Sequence, residues 1–213
     1  MRELEPVHEV GLTGLLASQG RIARTVHVPG SLLAEGFRWS GSDRWTQRWW
    51  PQGIAVGTWE GAPLAIVSWF SKSHGTREHG TRITVVDLVS LQYRHVLLVA
   101  GDDLAPVSVH AGGIDWSGDR LLAAATFSGI REFRLSGILR TSRGRFLLPQ
   151  TALLRPAERF RYSFLAAGSD GMVVGEYARG VGHPHARNPR NAGSGSDRRH
   201  VGDQLFARRS AER

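Results

Sequence analysis

The stretch from His110 to Leu135, HAGGIDWSGDRLLAAATFSGIREFRL, decides the fold class. Three short runs rich in apolar residues are separated by SGD and FSG, and glycine beside serine or aspartate is typical of tight turns. The last run, IREFRL, alternates, so that Phe133 and Leu135 share the face that we expect to be buried. The pattern predicts three antiparallel strands that belong to one small sheet.

The same plan recurs before and after this stretch. Upstream, PQGIAVGTW and LAIVSWF flank the turn GAP, and TRITVVDL and YRHVLLVA follow; downstream, FRYSFLAAG and MVVGEYA flank SDG. Gln52-Gly53-Ile54 matches Gly112-Gly113-Ile114 at an offset of 60 residues. Units of several strands at such a period are typical of β-propellers. The sequence therefore predicts an all-β fold, a partial propeller-like stack of about three antiparallel blades.

The chain is predicted to have three parts. Residues 1–35 form an N-terminal extension, either a short helix or extended chain, and residues 36–178 form the propeller-like β domain. Residues 179–213 are rich in arginine, glycine and proline, a composition that predicts a disordered tail. Because three blades do not close a ring, an open blade face is expected, and with it self-association.

The net charge of +8 is concentrated in the tail, where eight arginines against three acids contribute +5. The chain has 26 arginines and one lysine, a bias that a GC-rich genome explains without a polyanion-binding surface. We therefore expect no nucleic-acid partner. The absence of cysteine excludes disulfides, thiol catalysis and cysteine-ligated zinc.

The N-terminus carries early acids and no long apolar run. Such a start predicts neither a signal peptide nor a membrane anchor, so no membrane partner is expected. The sequence by itself assigns no cellular compartment to the protein.

Three polar residues hold related places in the predicted blades. Gln52 and His110 precede the inner strands of two successive units, and Glu176 ends the buried strand of the third. If they meet at the mouth of a channel, they could bind a ligand, or contribute to a metal that polarises an ester or lactone carbonyl. In the structural alternative, His110 and Gln52 bond the backbone and Glu176 pairs with an arginine. No metal or cofactor is assigned, because other blades would have to supply the remaining ligands.

A second candidate site is aromatic and basic. Trp45, Trp49 and Trp50 stand beside Arg44 and Arg48 in the segment RWTQRWW. Exposed, these side chains would stack on sugars or bases, with arginine adding a cation–π contribution. In the alternative, they pack at the entry to a sheet. We keep Trp49 and Trp50 among the candidate ligand-binding residues.

Several segments together resemble a family of propeller-like proteins from actinobacteria, described as secreted or hypothetical. The resemblance covers about residues 28–177, in order VPGSLLAEGF, WWPQGI, YRHVLLV, VHAGGIDWSGDRLLAAATFSGIREFRLSGIL, LLPQ and RYSFLAAGSDGMVVGEY. It implies further blades in longer members, so that this chain would be a truncated member. It also implies an export signal, which this N-terminus lacks, and it implies no reaction or cofactor.

Taken together, these observations predict a binding or interaction module for a small-molecule, carbohydrate or protein ligand. Two alternatives stay open. One is a metal-assisted propeller hydrolase of the lactonase or esterase kind, and the other is a non-functional fragment of a longer propeller protein.

Overall fold

The fold is seen in a computed structural model, which describes residues 6–27, 35–71, 80–155, 161–168, 171–177 and 204–209. Strands dominate it, with two short α-helices and one 3₁₀ turn. The elements in chain order are β1 (Val7–Glu9), α1 (Gly11–Ala17), β2 (Arg21–Ile22), β3 (Arg24–His27), β4 (Glu35–Arg38), α2 (Gly41–Arg44), β5 (Trp49–Trp59), β6 (Ala62–Ser71), β7 (Thr81–Asp87), β8 (Gln92–Ala100), β9 (Ala105–Pro106), β10 (Ile114–Ser117), β11 (Arg120–Ala125), β12 (Gly129–Arg134), a 3₁₀ turn (Leu135–Gly137), β13 (Leu139–Thr141), β14 (Phe146–Leu154), β15 (Tyr162–Gly168), β16 (Gly171–Tyr177) and β17 (Gln204–Arg209).

One large sheet holds most of these strands. Its main path runs β10-β11-β12-β14-β8-β7-β6-β5, and β1, β2, β9 and β13 pair beside it. Neighbours on this path are antiparallel except β14 and β8, which are parallel with Leu148 opposite Leu98. The parallel pair joins the strands before residue 100 to those after residue 110.

The two ends of the sheet approach each other, so that it forms a nearly closed barrel. Ser68 Oγ accepts a hydrogen bond from Gly53 N at 2.9 Å and donates one to Ala111 O at 2.7 Å, which ties the β5–β6 end to the chain entering β10. Farther along β5, a Cβ on Gly57 would lie 3.0 Å from the Trp116 ring of β10. Glycine at this position therefore allows the two ends to come into contact.

The barrel interior is a single apolar core. Alternation along β7 turns Ile83 and Val85 inward, and α1 adds Leu12 and Leu15. Phe133 from β12 is fully buried in the same core, as the alternation of IREFRL predicted. A core of this kind stabilises the barrel mainly by removing apolar surface from water.

Two smaller layers cover the outside of the barrel. The β3–β4 hairpin lies over β6 to β8, where Phe37 packs against a buried cluster that includes Tyr93. The sheet β15-β16-β17 covers β11 and β12, where Tyr162 and Leu165 pack against Ile130. The large sheet is thus buried on both faces in these regions.

The all-β prediction is confirmed, whereas the division into three blades is not. Strands from the first and second predicted units hydrogen-bond in one sheet through β14. Between the second and third predicted units, the segment SGILRTSRGRFLLPQ contains β13 and the start of β14, and β14 is the strand that joins the units. Periodicity reports which residues form strands, but it does not report which strands pair over long distances.

Segments near both ends of the chain form strands that pair with the rest of the fold. The predicted N-terminal extension contains α1 as well as β1 and β2, which pair with β13 and β8. Most of the predicted disordered tail lies outside the described residues. The exception is Gln204–Arg209, which forms β17 and pairs with β16 instead of being disordered. No helix within the described ranges is long and apolar enough to span a membrane.

Candidate functional site

The outer face of β6, β7 and β8 carries a group of polar and aromatic side chains beside the aliphatic Ala65 and Val86. Strand alternation sets this face, because residues that flank an inward position point outward. The register places Trp69 opposite Arg82 and Thr84 opposite His95. The side chains that form this outer cluster are Trp69, Arg82, Thr84, Tyr93 and His95.

Asp43, from the short helix α2, is buried against the outer cluster. The Tyr93 hydroxyl donates to Asp43 Oδ2 at 2.9 Å, and Arg21 Nη1 donates to the same oxygen. Oδ1 lies 3.4 Å from Arg82 Nη2 and 3.1 Å from His95 Nε2. The carboxylate therefore fixes α2 to the barrel through groups from β2, β7 and β8.

Burial and the neighbouring polar and charged groups have opposite effects on the pKa values of Asp43 and Arg82. Burial by itself would raise the pKa of Asp43, but His95, Tyr93 and Arg21 together lower it well below its usual range. Burial lowers the pKa of Arg82 to about 10, although Asp43 opposes that change. Asp43 is therefore ionised at neutral pH, and Arg82 keeps its charge in a desolvating environment.

His95 is held in one orientation between two partners. Its Nδ1 lies 2.7 Å from Thr84 Oγ1, and its Nε2 faces Asp43. Burial lowers the pKa of His95, so the imidazole is neutral at pH 7. The series of hydroxyl, imidazole and carboxylate has the order of a catalytic triad. However, Thr84 is completely buried, so no substrate reaches its hydroxyl and the series has a structural role.

Cations and aromatic rings alternate from the surface into this cluster. The guanidinium of Arg82 lies 4.5 Å from the Trp49 ring and 4.9 Å from the Trp69 ring. The guanidinium of Arg48 lies 5.5 Å from the Trp49 ring. These distances suit cation–π attraction, which is strongest where the cation is desolvated.

The chain that follows α2 presents an exposed aromatic and basic surface. Trp45 is 73% exposed, with the Arg44 guanidinium 4.4 Å from its ring, and Trp50 is 44% exposed. The Trp50 indole donates to Gln47 O at 3.1 Å, which fixes the ring. We call Arg44, Trp45 and Arg48 the aromatic–arginine face; Trp50 follows Trp49 on β5 and, by strand alternation, points to the opposite side of that strand.

The residues predicted to share a channel mouth have other contacts. Gln52 is exposed, and its amide donates to Pro51 O at 3.1 Å. The His110 ring stacks on Phe70 at 4.2 Å. Buried Glu176 accepts a hydrogen bond from Arg161 N at 3.2 Å.

Two of these three residues lie on neighbouring segments. Gly53, next to Gln52, is bridged by Ser68 to Ala111, next to His110. Glu176 belongs to β16 in the separate covering sheet. Within the described part of the chain, no group of three or more histidine, aspartate or glutamate side chains is arranged to hold a metal.

Sequence reasoning missed Asp43, Arg82 and His95. A signal was present in TRITVVD and QYRHVLLVA, where polar residues alternate with the aliphatic ones that fill the core. Such alternation predicts an outward polar face. It does not predict that another segment covers this face, and nothing in GSDR marks Asp43 as the residue that does so.

Comparison with known protein families, with characterised proteins and with solved structures found no match for this chain. The candidate site is therefore assigned from its geometry and chemistry.

Proposed function

We propose that this protein is a non-catalytic binding module whose ligand docks on the aromatic–arginine face. The observation that carries the proposal is Trp45, which is 73% exposed with the Arg44 guanidinium stacked on its ring. An exposed indole with a guanidinium on its ring offers a partner both an apolar surface and a positive charge. Paired with a cation, it suits a ligand that has both a flat apolar face and negative charge.

The ligand class that fits this surface best is an acidic oligosaccharide. The apolar face of a sugar ring stacks on an indole, and the arginine fork binds a carboxylate or sulfate bidentately. Among the described residues of this region the arginines outnumber the carboxylates, since Arg21 and Arg82 share Asp43 and Arg44 lies on the Trp45 ring. An anionic ligand would complement this excess of positive charge.

The contacts that hold α2 on the barrel also favour ligand binding at the aromatic–arginine face. Asp43 lies next to Arg44 in the chain and is bonded to three elements of the barrel, so the segment that carries Trp45 begins at a fixed point. A rigid support lowers the entropy that is lost when a ligand binds.

The kinship with propeller-like proteins and the truncated-fragment hypothesis stay predictions, and so does secretion. The hydrolase alternative gains no support from the described contacts of Gln52, His110 and Glu176, because each side chain has a different partner.

Titration calorimetry of the full chain with oligogalacturonate tests the proposed function. We expect saturable binding that weakens with salt, and Trp45→Ala should lower the affinity at least about tenfold, the effect of losing about 1.4 kcal/mol. A neutral oligosaccharide of equal length should bind much more weakly.

The matched control is Phe127→Ala. Phe127 is 80% exposed and has the Arg161 guanidinium 5.6 Å from its ring, but it lies between β11 and β12, away from α2. This variant should bind as the unsubstituted protein does. The proposal is wrong if Trp45→Ala binds with unchanged affinity, or if single-stranded DNA binds more tightly than the oligosaccharide.

A further inference from the structure

The outer cluster contains buried donors that have no acceptor. Trp69 Nε1 and Arg82 Nε are both shielded from solvent, and neither has a hydrogen-bond partner within the described part of the chain. Trp69 is 1% exposed and Arg82 is 8% exposed. A buried donor without a partner is destabilising, so each requires an explanation.

The two donors belong to one place in the fold. Trp69 and Arg82 are directly opposite on β6 and β7, and the Arg82 guanidinium lies 4.9 Å from the Trp69 ring. The His95 ring lies 6.4 Å from the same indole and closes another side of the cluster. Trp69 Nε1 and Arg82 Nε are obligate donors, so the partner that they lack must be an acceptor. The third atom of this cluster without a hydrogen-bond partner, His95 Nε2, lies 3.1 Å from Asp43 Oδ1.

The local charge indicates which acceptor fits. Burial keeps His95 neutral, and Arg21 and Arg82 then share the single carboxylate of Asp43. Arg21 is half exposed and partly solvated, whereas Arg82 is almost fully desolvated. Counted over the described residues, two arginines against one carboxylate leave the cluster with one positive charge in excess, which a monovalent anion would neutralise and a water molecule would not.

We propose that a small monovalent anion, of the size of chloride or formate, binds between Trp69 and Arg82 on the outer wall of the barrel. This site differs from the aromatic–arginine face, because its donors are buried and its ligand is a small ion. Trp49 is close to both, with its ring 4.5 Å from the Arg82 guanidinium and 5.5 Å from the Arg48 guanidinium.

The melting temperature of the full chain in chloride, compared with gluconate at equal ionic strength, tests this proposal. Both salts screen the net charge of +8 equally, but gluconate is too large for a buried site. We expect a saturable increase of about 3 °C in chloride, the shift that an anion at about ten times its dissociation constant would produce. Equal melting temperatures in the two salts would overturn the proposal and leave water as the partner.

Two substitutions test whether the chloride-specific increase in melting temperature arises at Trp69. Trp69→Phe keeps an aromatic ring but removes the indole N–H, and we expect it to lose the chloride-specific increase. Trp59→Phe is the matched control, because Trp59 Nε1 already donates to Thr13 Oγ1 at 3.0 Å, and it should keep the increase. An increase that persists in Trp69→Phe would contradict the assigned position.

Chloride-35 NMR gives a readout that does not depend on the variants folding. Binding in fast exchange should broaden the chloride line of the unsubstituted protein, and formate added at equal concentration should reverse the broadening. A chloride line that is unchanged by the protein would overturn the proposal, whatever the melting temperatures show.

Discussion

The two sides of strands β6, β7 and β8 differ in how they are stabilised. On the inner side, Ile83 and Val85 pack in a dry aliphatic core, whereas on the outer side Arg82 and Thr84 of the same strand lie in a network of hydrogen bonds and ion pairs. Alternation along one strand produces both environments. The inner side holds the barrel together by burial, and the outer side fixes one covering segment in a defined place.

The inner side should tolerate substitution least. Phe133 is fully buried in the barrel core, so Phe133→Ala removes a large apolar side chain and leaves a cavity. We expect the free energy of unfolding in urea to fall by about 3–5 kcal/mol. Phe127→Ala, at an exposed position, should change it by less than about 0.5 kcal/mol. Equal effects of the two substitutions would contradict the assignment of Phe133 to the core.

A substitution on the outer side should lower the free energy of unfolding by less than Phe133→Ala does. Asp43→Asn keeps the shape of the side chain but removes the charge that Arg82 faces. We expect the free energy of unfolding to fall by about 2–3 kcal/mol, since a hydrogen bond to a charged partner is lost and the arginine stays buried.

Asp103→Asn is the control for this substitution. Asp103 is exposed and accepts a hydrogen bond from Ala105 N in its own loop, so its replacement should have little effect. If Asp43→Asn is as stable as the unsubstituted protein, the network does not hold α2 in place.

The smallest effect should be the dependence of the free energy of unfolding on pH. Because burial lowers the pKa of His95, the unfolded chain takes up a proton near pH 6.5 that the folded chain does not bind. The stability due to neutral His95 is therefore complete above pH 6.5 and is lost as the pH falls from 6.5 towards the lower folded pKa.

The measurement is the free energy of unfolding at a series of pH values from 7.5 to 5. His95→Gln should have a shallower slope over this range than the unsubstituted protein. His110→Gln, at an exposed histidine stacked on Phe70, serves as the comparison and should keep the original slope. A slope that His95→Gln leaves unchanged would show that this imidazole is not buried in the neutral form.

The buried face of a single strand was predicted from the sequence, whereas the pairing of strands that are distant in the chain was not. The alternation of IREFRL was sufficient to identify the buried face of β12, because the period of a strand depends only on local sequence. The pairing of β14 with β8 was not predicted, since Leu148 and Leu98 are distant in the chain and parallel partners carry no turn signal between them.

Trp49 and Trp50 were named as candidate ligand-binding residues from their aromatic and basic surroundings, and that role stays a prediction. The network beneath them was missed, because Asp43, Arg82 and His95 belong to three separate segments and meet only after the barrel has formed. Long-range ion pairs of this kind leave no pattern in the local sequence.

The central claim is that the outer side of the barrel carries the binding face. The most direct test is NMR mapping of ¹H–¹⁵N shifts during titration with oligogalacturonate, because it locates the ligand without any substitution. The account predicts shifts of the Trp45 indole N–H and the backbone amides around Arg44 and Arg48, with no shift at Phe127. Shifts confined to the covering sheet, around Tyr162 and Leu165, or no shifts at all, would contradict it.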